Sequence, residues 1–226
     1  MQQINLDNIL MIGNNAFEDC EKLDNVNLES AYAIGRRAFA NCKSLSYVDI
    51  TALRNAGIET FVNCTNLKSI DNGKYTNFSE RMFKNSGLTT LTYYADRIPN
   101  NCFERCQFSS IAEFPKGLVE IGKLAFWGNW RLMGTLELPD ELVALGEEAF
   151  YGCSIEGVVL PAELAILKSG VFSGCYYLNK IVCKAIEPPY VQDGAFDGVA
   201  KDNFAVEVPE QSVNRYQNSS GWNEFK

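Results

Sequence analysis

The sequence predicts an α/β solenoid, with one parallel sheet along one side of a rod and short helical or 3₁₀ turns along the opposite side. Two observations carry that expectation. Nine phenylalanines, Phe17, Phe39, Phe61, Phe83, Phe103, Phe126, Phe150, Phe172 and Phe196, recur at steps of 22, 22, 22, 20, 23, 24, 22 and 24. A fixed period in the twenties marks units that can bury their apolar faces only against their neighbours. Between the phenylalanines runs a short period-two alternation of apolar and polar residues, the pattern of a half-buried strand.

Aligned on the phenylalanine, one repeat reads Ile-Gly-x-x-Ala-Phe-x-x-Cys-x-x-Leu-x-x-Val-x-Leu, as in Leu145 to Cys153 (LGEEAFYGC). The glycine column holds Gly13, Gly35, Gly57, Gly122 and Gly146, and suits either a turn with positive φ or a close backbone approach. The Ala-Phe-x-x-Cys run has helical spacing but is too short for a free helix, so a single helical or 3₁₀ turn held by packing is expected. The strand half alternates clearly: Leu23, Val26 and Leu28 against Asn25 and Asn27, and Leu45, Val48 and Ile50 against Tyr47 and Asp49. Stacked at about 4.8 Å per coil, nine to ten coils make a rod roughly 45 Å long.

The repeats span about residues 4–184, and an atypical last repeat with a C-terminal cap spans about 185–226, so the expected organisation is one solenoid over 1–226. At the start, Ile4-Asn5-Leu6 matches the strand Val26-Asn27-Leu28 without a turn half before it. The expectation drawn from this is that natural sequence precedes Met1 and carries any signal or anchor. Repeats four and five are irregular: Asp71 to Ser79 (DNGKYTNFS) is polar and Ser86 replaces cysteine. In the tail, Pro209 can start a helix with Val213 and Tyr216 on one face, followed by Trp222 and Phe225.

These segments resemble the BspA-like leucine-rich repeat family, through Ile34-Gly35…Ala38-Phe39…Cys42…Leu45 and Leu145-Gly146…Ala149-Phe150…Cys153, and through the ending Val208-Pro209…Tyr216…Trp222…Phe225. The resemblance implies a leucine-rich-repeat solenoid coiled as a right-handed β-α superhelix. It also implies a bacterial cell-surface or secreted setting and, for some members, adhesion or host-protein binding. It implies no catalytic residue.

The residues themselves also narrow the function. A formal charge of −8 argues against nucleic acid and anionic membranes, and no apolar run approaches the ~20 residues of a transmembrane helix. The chain has no histidine, which removes the commonest general base and every Ser-His-Asp or Cys-His arrangement. Cys20, Cys42, Cys64, Cys106, Cys153 and Cys175 share one repeat column, and stacked Cβ atoms near 4.8 Å lie farther apart than the ~3.8 Å a disulfide prefers. Buried free thiols are expected, and Cys102-x-x-x-Cys106 lacks the histidine of a usual zinc set. No cofactor or metal is expected, and the working unit is taken as a monomer.

Two surfaces stand out as candidates for binding a protein or a neutral glycan. The outward strand positions present Asn25, Asn27, Tyr47, Asp49, Ser69, Asp71, Thr90, Thr92, Thr135, Glu137, Lys180 and Glu207, on the kind of extended face repeat proteins bind with. The competing reading is a plain solvated sheet. The second surface is aromatic: Trp127 and Tyr151 follow consecutive phenylalanines, with Trp130 close by and Tyr176 and Tyr177 one repeat later. Exposed aromatic clusters mark contact surfaces, and packing between adjacent turns is the competing reading here. The expected function is a non-enzymatic recognition or adhesion module, with a structural spacer in a longer surface protein as the alternative.

Overall fold

A computed structural model describes residues 3–90, 93–111 and 113–225 of the chain. The expected strands form a parallel ladder of Gln3–Ile4, Asn25–Val26, Tyr47–Ile50, Ser69–Asn72, Thr135–Glu137, Gly157–Leu160, Lys180–Cys183 and Ala205–Glu207. Partners sit one repeat apart: Tyr47 lies opposite Ser69, and Gly157 lies between Thr135 and Lys180. Inward positions such as Val48, Ile50, Val158 and Ile181 are fully buried while Tyr47 faces out. Among the described residues no ladder bonds join Asn25–Val26 to Tyr47–Ile50, or Ser69–Asn72 to Thr135–Glu137.

Beside the main ladder runs a second one that the sequence reading treated as turn. The Ile-Gly positions form two-residue strands, Met11–Ile12, Ala33–Ile34 and Asn55–Ala56, then Arg97–Ile98, Glu120–Ile121 and Ala144–Leu145, then Ile166–Leu167 and Tyr190–Val191. The glycine that follows is there for close approach, the second of its two expected uses. A Cβ on Gly35 would sit 2.6 Å from the Asn14 nitrogen, and one on Gly146 would sit 2.3 Å from that of Lys123. Gly13, in the first of these coils, has nothing within 4 Å.

The turn side departs from a helix. The residues two before and two after every column phenylalanine have φ between 53° and 80° (Arg37 and Asn41 around Phe39, Glu148 and Gly152 around Phe150). Left-handed backbone costs a non-glycine residue roughly 1–2 kcal/mol, so the coils must over-determine it. They do so by alternating bonds. Ala40 and Cys42 donate back three residues to Arg37 and Phe39, while Arg37, Phe39 and Asn41 donate to Ile58, Thr60 and Val62 of the next coil. The i→i−3 bonds of a 3₁₀ turn are thus present but never run on into a helix. Among the described residues helix is confined to Glu210–Ser212 and Val213–Gln217. There Tyr216 is buried as expected, whereas Val213 is exposed, because only one residue per turn of so short a helix reaches the core.

The phenylalanine column is a continuous ring stack, with successive centroids 5.1–6.0 Å apart and interplanar angles of 3–26°. Five of the six column thiols close a bond between coils. Cys42, Cys64, Cys106, Cys153 and Cys175 point Sγ at the carbonyl of the preceding column phenylalanine, at 3.1–3.4 Å. Asn129 stands in this column and its Nδ2 donates to the carbonyls of Phe103 and Phe126. Ser86, the other replacement, contacts Cys106 Sγ at 3.3 Å. Burial pushes the thiols of Cys42, Cys106 and Cys175 up to about 12, so at neutral pH they are protonated donors. At the C-terminal end the stack stops on rings turned edge-on: Trp222 and Phe225 meet Phe196 at 64° and 87°. Trp222 is fixed by Nε1 donating to the Pro189 carbonyl at 2.8 Å.

Candidate recognition surfaces

On the turn side, the left-handed residue two past each phenylalanine points the preceding side chain outward along the rod. Trp127 and Tyr151 therefore lie over one another, centroids 5.6 Å apart and planes at 7°. The Arg105 guanidinium covers Trp127 at 4.8 Å. Both rings are half-buried. A stack along the rod spends its ring faces on neighbours and shows its edges to solvent. Trp130, Tyr176 and Tyr177 are the open aromatics of the group, at 55%, 72% and 65% exposure. Trp130 and Tyr176 each lie four residues past a column phenylalanine, and the coil between them puts Ser154 at that position. Ser154 Oγ donates to the Trp130 carbonyl at 2.6 Å.

On the strand side, Asn25, Asn27, Ser69, Asp71, Thr90, Thr135 and Glu137 are exposed, Tyr47 is 41% exposed and Asp49 half-buried. Thr92 lies outside the described residues. Part of this face has a structural duty that alternation does not reveal. Asn27 Oδ1 and Asp49 Oδ1 accept the backbone N–H two residues on, from Glu29 at 3.0 Å and Thr51 at 2.9 Å, closing the turn after the strand. Asp71 does not close such a turn. Its carboxylate accepts the Tyr47 hydroxyl at 2.7 Å, a bond that pushes the phenol up to about 12. Lys180 and Glu207 pair at 2.8 Å. Asn27 and Asp49 are thus accounted for by turn geometry and Tyr47 and Asp71 by their bond across coils, which leaves Asn25, Ser69, Thr90, Thr135 and Glu137 without a side-chain bond among the described residues.

Residues 1–107 and 96–219 match the family described as BspA type leucine rich repeat region. The chain belongs to this family. No curated protein matches it. Among solved structures, a BspA-type chain of this length is similar to a leucine-rich repeat protein from Bacteroides ovatus, at 20% identity over 93% of this chain and TM-score 0.66. It spans 61% of that protein. Weaker likenesses are to a leucine rich cell surface protein from Faecalibacterium prausnitzii, at 18% identity over 99% of this chain and 81% of that one, TM-score 0.47. The leucine-rich repeat protein of T. pallidum follows at 19% identity over 97% and 89%, TM-score 0.47. The BspA-type solenoid is a scaffold fold and not a catalytic one. No helix among the described residues is long and apolar enough to cross a membrane.

Sequence reading missed one feature of this BspA-type chain. An open depression forms where the main ladder is broken, lined by Lys74, Tyr93, Tyr94, Glu113, Phe114, Pro115 and Lys116. Its signal was present as the polar, off-period stretch of repeats four and five, whose residues match no column and so could not be placed.

Proposed function

We propose that the chain is a non-enzymatic recognition module that works as a monomer at a cell surface or in a secreted state. It binds a protein or a neutral glycan through exposed aromatic side chains on the turn side. One observation carries this reading: the fold sorts its aromatic residues by polarity. No phenylalanine is exposed, whereas seven of the ten tyrosines are: Tyr32, Tyr47, Tyr75, Tyr94, Tyr176, Tyr177 and Tyr190. Tyrosine and tryptophan give large contact area at low ordering cost and dominate binding surfaces. Trp130, Tyr176 and Tyr177 are exposed at 55%, 72% and 65% just past the column phenylalanines Phe126 and Phe172. The surface or secreted setting rests on what the family implies.

The spacer reading is favoured by the phenylalanine stack, which runs unbroken from Phe17 to Phe196 without needing a ligand. A panel of immobilised matrix proteins and neutral glycans separates the two. Saturable binding that falls at least about tenfold in Trp130→Ala/Tyr176→Ala/Tyr177→Ala, with stability within about 1 kcal/mol of the parent, supports recognition. Silence across the panel leaves the spacer.

A further inference from the structure

The depression at the break in the main ladder is a second kind of surface, distinct from the turn-side aromatics. It encloses about 620 Å³, within the range of small-ligand sites. Its floor is rigid. Tyr93 is buried, packs on Phe78 at 4.6 Å and donates its hydroxyl to the Arg97 carbonyl. Phe114 is buried edge-on against Phe126 at 6.0 Å. Its wall is Tyr94, 53% exposed. Its rim carries Lys74, Lys116 and Glu113. Among the described residues neither lysine has a carboxylate partner, although ten other lysines and arginines do.

Charge and shape together select the ligand. Two rim cations without an ion-pair partner among the described residues call for an anion, and an aromatic wall and floor call for a flat apolar face. Glu113 accepts hydrogen bonds and repels a second carboxylate, so the ligand also offers hydroxyl donors. The adjoining depression shares Glu113, Phe114 and Lys116 and adds Glu137, Asp140 and Glu141, which turns away an extended polyanion. An acidic peptide meets the first demand but fails at Glu113. A single acidic sugar meets all of them.

We propose that this depression binds the acidic terminal sugar of a glycan, a pyranose bearing one carboxylate. The apolar ring face lies against Tyr94 and the floor, Lys74 and Lys116 take the carboxylate, and Glu113 accepts from ring hydroxyls.

The test is an amide-shift NMR titration of the whole chain with N-acetylneuraminic acid and with glucuronic acid, using glucose and tetraglutamate as controls. Expected are saturable shifts at residues 74, 94, 113 and 116 with at least one acidic sugar, weakened by added salt. Glucose should bind at least about tenfold more weakly, equivalent to about 1.4 kcal/mol. Lys74→Met/Lys116→Met should lower acidic-sugar affinity by at least about tenfold with an unchanged melting temperature, because both side chains are exposed. Tyr94→Ala should weaken it while leaving turn-side binding intact. No saturable shifts with either acid, equal binding of glucose, equal binding of tetraglutamate at the same residues, or a double lysine variant that still binds fully would each overturn the assignment.

Discussion

The coils from Thr135 to Glu207 and the coils from Gly73 to Gly117 solve one packing problem in two ways. In the first stretch each coil brings an aliphatic strand, Leu136 and Leu138, Val158 and Leu160, then Ile181 and Cys183, all buried against the phenylalanine stack. Four strands hydrogen-bond in one uninterrupted ladder there. In the second stretch no main-ladder strand occurs among the described residues, and Phe78, Tyr93, Phe108 and Phe114 are buried beside the stack. They stand edge-on or tilted to the stack, as Phe78 does to Phe83 at 75° and Phe108 to Phe103 at 80°. Large rings stand beside single inter-coil backbone bonds, such as Thr89 N–H to the Lys68 carbonyl and Gln107 N–H to the Leu88 carbonyl. The ring column itself passes through both stretches unbroken. Continuity of the solenoid therefore resides in the turn side and the stack, and the strand side is free to vary.

That contrast sets the order of expected losses. Phe150→Ala, in the regular stretch, should cost about 3–5 kcal/mol, because a fully buried ring leaves a cavity that neighbours on both sides are too well bonded to fill. Phe78→Ala should cost less, about 2–3 kcal/mol, since looser backbone can collapse into the space. Denaturant midpoints of the two variants measure the difference, and an equal or reversed cost would show the broken stretch to be as stiff as the regular one.

A smaller effect tests the column of inter-coil donors. Asn129→Ala strips two side-chain bonds to the Phe103 and Phe126 carbonyls, which keep their backbone bonds from Cys106 and Asn129, at about 1–3 kcal/mol for the pair. Cys175→Ala removes one weak donor and should cost about half as much by the same unfolding assay. If the alanine change at Asn129 proves the cheaper, the column's role is packing alone.

The smallest effect is in pH. Deprotonation is opposed by burial in the fold, so the thiols of Cys42, Cys106 and Cys175 move from the ordinary value of about 9 to about 12. Their contribution is fully present below pH 9, where folded and unfolded chains hold the same protons. Above it the unfolded chain loses protons first, and stability falls as pH rises from about 9 toward 12. Chemical denaturation between pH 7 and 10 should show a flat region and then a decline. A Cys42→Ala/Cys175→Ala variant should decline less steeply.

The register of the rod was legible because one residue type, phenylalanine, marks every coil, and because Val48 and Ile50 alternate with Tyr47 and Asp49 over enough length to show period two. The second ladder was not, since a two-residue strand such as Ala33–Ile34 is too short to show any period. The left-handed turns were partly legible. Asn41, Asn63, Asn85, Gly128, Gly152, Gly174 and Gly198 fill one column with the residues that tolerate positive φ, whereas Arg37, Glu59 and Leu124 in the partner column give no sign of it. The candidate surfaces divided along the same line. Exposure of Trp130, Tyr176 and Tyr177 could be read from their place outside the core columns. The facing of Trp127 onto Arg105 could not, because it depends on residues 22 apart in sequence meeting side by side.

The inter-coil bonds have a mechanical consequence. From Phe17 N–H to the Ala38 carbonyl, and onward coil by coil to Phe172 N–H and the Ala195 carbonyl, they point along the rod. A pull on the two ends therefore loads the coils in series, each bearing the whole force, and the weakest junction yields before the others feel any change. The longest span without main-ladder bonds among the described residues lies between Ser69–Asn72 and Thr135–Glu137, and the junction expected to yield is there. Under tension the rod would come apart first in the middle, lengthening by whole coils while both ends kept their shape.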